Sequence, residues 1–464
     1  MDKNTVDKAT IKSTYGGTLG GLLPLIAMIA TIILLCVLKM SSLQNFWCAG
    51  FVGIVVGMFV YRDKGAFLSA LIKSMGGPTV CMLVIIFIIA GVMSSIFTAA
   101  HLADSLLYLF GILRVPAVVI PAACFLVGGI ISVSTGSSSA ALLSLIPVLF
   151  PLGVQMGCRP GLVMGAIISG ALFGDNLAPI SDNTIVSAMS QEADVTAVVR
   201  SRLPYSAAAG IVSTVLFLVF GFLTTDATVT ANIQTDATYV SSLLFLALPV
   251  LMVVMLVKKA NFVFTLLTCD MVGIVMLLLL GRVKLSDILA VEGVIVSGIE
   301  GMVNVIIFMI LIFLVVGVVQ ETGALNKFQE ALLKVAKTDH SIEIITAAFT
   351  SVSCIMISNG LATTAFCGPI VHDLVKPYKI DRNRVANYVN GLAAGIGCLL
   401  PYGIFTLIPV SMAVSMGVVD DSFNPMDIIP YIFYAICLVV MYWLLVLTGW
   451  GRKREEDYGK DETK

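Results

Sequence analysis

Residues 169–188, SGALFGDNLAPISDNTIVSA, set two carboxylates, two asparagines, a proline and several hydroxyls into otherwise apolar surroundings. Pro179 lacks the backbone donor that a continuing helix needs, so it interrupts one. Such a break survives in a bilayer only where protein or a water-filled cavity covers it. The result offers freed carbonyls together with the side-chain oxygens of Asp175, Asn176, Ser181, Asp182, Asn183 and Thr184. Hard cations take shells of oxygen ligands, and sodium is read here by analogy with them. Carboxylates at membrane depth are costly and mark ion or proton paths. One carboxylate can hold H⁺ or Na⁺ but not both, which is a physical basis for exchange. Asp175 and Asp182 are the candidate sodium ligands, although Asp182, followed by Asn-Thr, also suits the cap of a half-helix.

A second polar cluster runs Ser132-Val-Ser-Thr-Gly-Ser-Ser-Ser139. Ser134, Thr135, Gly136, Ser137 and Ser138 permit close backbone approach and can ligate a cation or a solute. Packing of small residues between helices is the competing reading. Ser351, Ser353, Ser358, Asn359, Thr363 and Thr364 offer a similar set in the C-terminal half, followed by Asn387, Asn390, Pro401 and Thr406 without a carboxylate. The acidic chemistry is therefore expected to be asymmetric. Asp270, inside an apolar run, is a possible second carboxylate. Gly170-xxx-Gly174 and Gly391-xxx-Gly395 suit close helix contact.

Other chemistries find little support. Gly136-Ser-Ser-Ser-Ala140 only superficially approaches a nucleophile elbow, which leaves an intramembrane hydrolase as a remote alternative. There are three histidines, no H-E-x-x-H and no Walker A sequence. Ten cysteines are scattered without C-x-x-C spacing, so neither a disulfide framework nor a zinc site is indicated. A net charge of −1 without a basic stripe argues against nucleic acid as a partner.

The elements that position these residues follow from composition. Only 12% of the 464 residues are charged, where soluble domains run at roughly 25%. Mean hydropathy is +1.02, so the chain is expected to be polytopic in a membrane. Uncharged runs cover 16–38, 40–61, 74–100, 115–158, 160–174, 203–225, 237–257, 260–281 (interrupted by Asp270), 301–320, 344–371, 385–419 and 428–451. Crossing the hydrocarbon takes about 20 residues. The polar centres of 115–158 and 344–371 read as pairs of short helices or re-entrant hairpins rather than single rods.

Lys and Arg excess marks cytoplasmic loops. Lys3, Lys8, Lys12, Arg62, Lys64, Lys73, Arg200, Arg202, Lys258, Lys259, Lys327, Lys334, Lys337, the 376–384 segment and Arg452–Arg454 read as inside. The acidic loops 224–238 and 418–427 read as outside, with Arg282 and Lys284 as exceptions. About ten net crossings plus two hairpins satisfy this pattern, with both termini cytoplasmic.

Weak internal similarity divides the chain. Ser132-Val-Ser recurs at Ser351, Ser169-Gly at Asn390, and Gly91-Val at Gly317, at offsets of 219, 221 and 226. The basic residues around the two copies differ, which implies opposite orientations in the membrane. Inverted repeats with broken segments at the midplane are a signature of secondary transporters. The expected layout is a tail at 1–15, two spans at 16–61, and a first repeat at 74–225 with hairpin 115–152 and broken helix 161–189. A linker at 226–300 carries spans near 237–257 and 260–281. The second repeat at 301–451 contains hairpin 342–373 and broken segment 385–417, before a tail at 452–464.

The 132–188 stretch, with STGSSS, IPVLFPLG and SGALFGDNLAPISDNT, resembles the NhaC-type Na⁺/H⁺ antiporter family. The resemblance implies the architecture of the ion transporter superfamily: an all-α fold of two inverted repeats, each with a hairpin and a broken helix at the midplane. It carries motif positions onto Asp175, Ser181, Asp182, Thr184, Thr135, Gly136 and Ser138. Ser139-Ala140 stands where that family has Trp-Gly, and the smaller residue would admit an organic solute.

The expected function is Na⁺/H⁺ antiport by alternating access in a bacterial inner membrane, with Na⁺ and H⁺ competing for one carboxylate. Coupled transport of a small organic acid or amino acid is the alternative. No cofactor is expected beyond Na⁺ as the transported or coupling ion, and a homodimer is implied by analogy.

Overall fold

The computed structural model describes residues 14–15, 17–38, 40, 42–113, 115–225, 237–323 and 338–452. The tail up to residue 13, residues 226–236 of the acidic loop, Lys327, Lys334, Lys337 and the tail from 453 lie outside the described residues. Every regular element among the described residues is helical, apart from an isolated bridge between Thr14 and Tyr61.

In chain order the helices are α1 (Gly17–Val37), α2 (Leu43–Val60), α3 (Lys64–Met75), α4 (Pro78–Ala99), α5 (Leu102–Ile112), α6 (Ile120–Thr135) and α7 (Ser138–Gln155). They continue as α8 (Pro160–Leu177), α9 (Asp182–Ser190), α10 (Val195–Thr224), α11 (Ala247–Val257), α12 (Phe262–Leu279), α13 (Leu285–Leu289) and α14 (Val294–Glu321). The C-terminal part adds α15 (Asp339–Ile357), α16 (Gly360–Val375), α17 (Arg382–Leu399), α18 (Ile404–Ser415), α19 (Pro425–Ile428) and α20 (Phe433–Thr448). By length and composition, twelve candidate spans can cross a membrane. Both α6 and α7 lie in windows long enough to count separately, whereas the sequence assigns them to one hairpin. The 428–451 run is not one rod: Pro425–Tyr431 and Phe433–Thr448 meet at a bend of 59°.

The chain divides into two units. One holds the described parts of Met1–Phe87, Val303–Lys337 and Asp421–Asn424. Within it, Gly50, Gly53 and Gly57 of α2 leave room for Leu311, Val315 and Val318 of α14. Tyr61 Oη donates to the Val318 carbonyl at 2.9 Å, closing the end of that packing.

The other unit holds Ile88–Met302, Thr338–Asp420 and the described part of Pro425–Lys464. Its central crossing is α6 on α8, where glycines let two backbones touch. A Cβ on Gly170 would overlap the Phe125 carbonyl oxygen, and one on Gly174 would overlap the Gly129 carbonyl oxygen. Backbone cannot move aside as a side chain can, so Gly174→Val is expected to cost about 3 kcal/mol, the upper range for overpacking. A fall in melting temperature and a smaller monodisperse fraction in detergent would register it; an unchanged melting curve would refute the tight crossing.

Glu343 in the first turns of α15 is fully buried and accepts from Arg384 Nε at 2.7 Å and Arg452 Nη2 at 2.6 Å. Arg384 also donates to the carbonyls of Leu445 at 2.7 Å and Trp450 at 2.6 Å. The basic residues that the sequence assigns to two cytoplasmic loops therefore include a buried, fully engaged guanidinium.

Element boundaries in this unit recur at a constant spacing. Thr135 ends α6 and Ile357, 222 residues on, ends α15; Ser138 and Gly360 begin α7 and α16. Likewise α8 and α17 span Pro160–Leu177 and Arg382–Leu399, and α9 and α18 begin at Asp182 and Ile404. Local interactions keep the same register. Ser132 Oγ donates to the Ala171 carbonyl at 2.6 Å, and Cys354 Sγ donates to the Ala393 carbonyl at 3.0 Å. Gly136 and Ser358 both adopt positive φ, at 65° and 54°, and each is followed by a capping side chain. Sequence matching at offsets of 219, 221 and 226 misses this register by a few residues, because Ser, Gly and Val pairs recur too often to align helices.

Candidate functional site

The break between α8 and α9 occupies residues 178–181, with Asp175 in the last turn before it. Asp175 is 4% exposed, and its Oδ2 accepts from Asn183 Nδ2 at 3.0 Å. Gly136, at the corner between α6 and α7, is seated against Ile180, where a Cβ would meet the Ile180 carbonyl oxygen at 3.1 Å. That contact brings the hydroxyl-rich corner onto the break. The hydroxyls of Ser138 and Ser181 stand beside the Asp175 carboxyl. Ser138 Oγ and Ser181 Oγ are buried facing the Asp175 carboxyl without a close, well-aligned hydrogen bond, and Asn183 Oδ1 is buried without a partner among the described residues. A buried carboxylate is costly on its own, and one set among three side-chain oxygens suits a cation that takes oxygen ligands. Removing one neutral ligand tests this: Ser138→Ala is expected to raise the half-saturating sodium concentration about fivefold, roughly one hydrogen-bond-sized contribution. An unchanged sodium dependence would remove Ser138 from the shell.

Behind the break lies a buried cation. Arg202, two turns into α10, is 0% exposed. Asp194 caps α10 by accepting from Ala197 N at 2.8 Å, so the helix begins well before the uncharged run does. This corrects the sequence reading of Arg202 as a cytoplasmic loop marker. Arg202 Nε donates to Asn387 Oδ1 at 2.8 Å, and Nη1 donates to Asn176 Oδ1 at 3.0 Å and Thr184 Oγ1 at 3.2 Å. Asn176 Nδ2 in turn donates to Ser206 Oγ at 2.8 Å and Tyr434 Oη at 2.9 Å. Asn176 and Thr184, expected as ion ligands, thus hold the guanidinium.

The remaining expected residues disperse. Asp182 is exposed at the start of α9. Ser134 is exposed and donates to the Ile130 carbonyl at 2.8 Å, while Thr135 Oγ1 donates to the Ile131 carbonyl at 3.0 Å. Ser137 caps α7 and Asn359 caps α16. Thr363 Oγ1 donates to the Asn359 carbonyl at 2.7 Å. Ser353 and Asn390 are buried; Ser353 stands against the Cys367 thiol, and Asn390 Oδ1 has no partner among the described residues. Asp270 is 6% exposed in α12, with Oδ1 unpartnered among the described residues, and is not among the residues gathered at Asp175. Gly397 occupies the place 222 residues after Asp175, so the second break carries no carboxylate.

Sequence comparison adds independent information. The profile described as the Na⁺/H⁺ antiporter family matches residues 2–222 and 224–450. The Malate-2H(+)/Na(+)-lactate antiporter of Bacillus subtilis (strain 168) is 27% identical over 186 residues, covering 40% of this chain and 38% of that one. The arginine/ornithine antiporter ArcD of Halobacterium salinarum is 24% identical over 366 residues, 72% of each chain. The Na(+)/H(+) antiporter NhaC of Alkalihalophilus pseudofirmus is 20% identical over 344 residues, 69% of this chain and 71% of that one.

Proposed function

The chain belongs to the Na⁺/H⁺ antiporter family, and from that premise we propose that it exchanges Na⁺ for H⁺ across a bacterial inner membrane. It is a multi-pass membrane protein. The carrying observation is the buried Asp175 carboxylate set among the side-chain oxygens of Ser138, Ser181 and Asn183. Na⁺ takes that shell when Asp175 is ionised, and a proton on Asp175 displaces it. Access alternates as the hairpins and broken helices of two inverted repeats move, with both termini cytoplasmic and two copies forming a homodimer. The 222-residue spacing supports the duplication, and the uneven distribution of Lys and Arg supports its inversion.

The test uses proteoliposomes holding a pH-sensitive dye. An imposed sodium gradient is expected to drive proton movement that saturates with sodium, whereas potassium drives none. Proton movement indifferent to sodium would refute the exchange. A second reading, coupled movement of a small organic acid or amino acid, is favoured by one observation: Arg202 is buried with only neutral hydrogen-bond partners.

A further inference from the structure

We propose that Arg202 and Tyr442 form a subsite for the carboxylate of a small organic solute. The subsite deepens the antiporter reading above and rests on it for the route by which the solute arrives. Arg202 has five N–H donors, and its neutral partners occupy only Nε and Nη1. Nη2 is buried without a partner among the described residues. Tyr442 Oη, also buried and without a partner, stands in the field of the same guanidinium. Two polar groups of one cluster are therefore left without a hydrogen-bond partner among the described residues.

A buried guanidinium keeps its charge, and neutral amides do not cancel it. Asp175 acts on Arg202 through space but makes no ion pair with it. An acceptor that carries its own negative charge answers both deficits at once. A planar carboxylate presents two such oxygens, matched to guanidinium and hydroxyl donors.

The space fits a small solute. Asn387, which holds Arg202 Nε, and Tyr442 both line a cavity of about 230 Å³ that also touches Ser201, Tyr205, Tyr388 and the carboxylate-bearing Asp381; Arg202 stands behind Asn387, outside the lining itself. This falls below the roughly 300–1,000 Å³ typical of drug-sized ligands. Arg384 lines the cavity too, but its Nε, Nη1 and Nη2 already donate to Glu343, Trp450 and Leu445. Arg202, behind the lining, is the guanidinium whose Nη2 has no hydrogen-bond partner among the described residues.

The test is direct binding to purified protein in nanodiscs by calorimetry. The probes are L-lactate, L-malate, acetate and L-arginine, against sodium chloride and sodium phosphate. Wild-type protein is expected to bind at least one carboxylate saturably, and chloride and phosphate not to displace it. Tyr442→Phe keeps the ring that packs on Gly391 and removes one donor. It is expected to weaken carboxylate affinity about tenfold, the effect of a hydrogen bond to a charged group. Arg202→Lys is expected to weaken it further, with folding checked by size-exclusion chromatography. No binding by any probe, equal affinity in Tyr442→Phe, or equal displacement by chloride or phosphate overturns the subsite. Sodium-driven proton flux without carboxylate binding refutes the subsite alone. Carboxylate binding without that flux refutes the Asp175 reading alone.

Discussion

Asp175→Asn in reconstituted protein is expected to reduce sodium-driven proton movement at least about 100-fold, since a ligand bearing full charge is worth ~3 kcal/mol or more. The substitution is nearly isosteric, and an amide can still receive the Asn183 Nδ2 hydrogen bond through its oxygen. Folding is therefore expected to be preserved while the carboxylate proposed to trade a proton for a cation is lost. The neighbouring hydroxyls of Ser138 and Ser181 remain but carry no charge. Flux in the variant that equals wild type would show that Asp175 only braces the broken helix. A companion Asp182→Asn is expected to change flux less than about twofold, because the Asp182 side chain is exposed although its neighbours Ser181 and Asn183 face Asp175.

The largest expected effect on stability comes from Glu343. Replacing it with Ala leaves Arg384 without its carboxylate partner inside the protein, and breaking a buried pair costs about 3–5 kcal/mol. The Arg384 side chain is 6% exposed and that of Glu343 0%, so water cannot readily take the vacated position. Arg452 loses its partner as well, although its side chain is 23% exposed and better hydrated. Glu343→Ala is expected to lower the melting temperature sharply or to abolish recovery of folded protein. The double variant Glu343→Gln with Arg384→Gln removes both buried charges and is expected to regain part of the loss. Equal instability of single and double variants would mean that shape, not charge pairing, holds α15 to α17.

The broken helix was legible in the sequence because Asp175, Asn176, Pro179 and Asp182 are expensive in an apolar crossing and so had to be doing something there. The all-helical, multi-pass fold followed from the same scarcity of charge. Arg202 and Glu343 were not legible for the converse reason. Each lies near the end of an uncharged run, where a charge ordinarily means loop, and only helix starts at Asp194 and Thr338 place them inside. Their partners are distant as well: Asn387 is 185 positions from Arg202, and Arg384 is 41 from Glu343. The direction a side chain takes after a break is also hidden. Residues 178–181 reset the helical phase, which is why Asp175 points into protein while Asp182 is exposed. Within the hairpin corner, the buried Ser138 and the exposed Ser134 have the same chemistry and differ only in facing.

In the proposed exchange, the resident guanidinium of Arg202 sets the charge that the core carries on each leg of the cycle. With Asp175 ionised, the two fixed charges of this core sum to zero, and either Na⁺ or H⁺ on Asp175 raises the sum to one. A unit charge falling through 100 mV of membrane voltage is worth about 2.3 kcal/mol. In a one-for-one exchange the outward and inward legs carry the same charge, so voltage does no net work on the turnover. A solute carboxylate on Arg202 would bring the cation-loaded core back to zero and make that leg indifferent to voltage on its own.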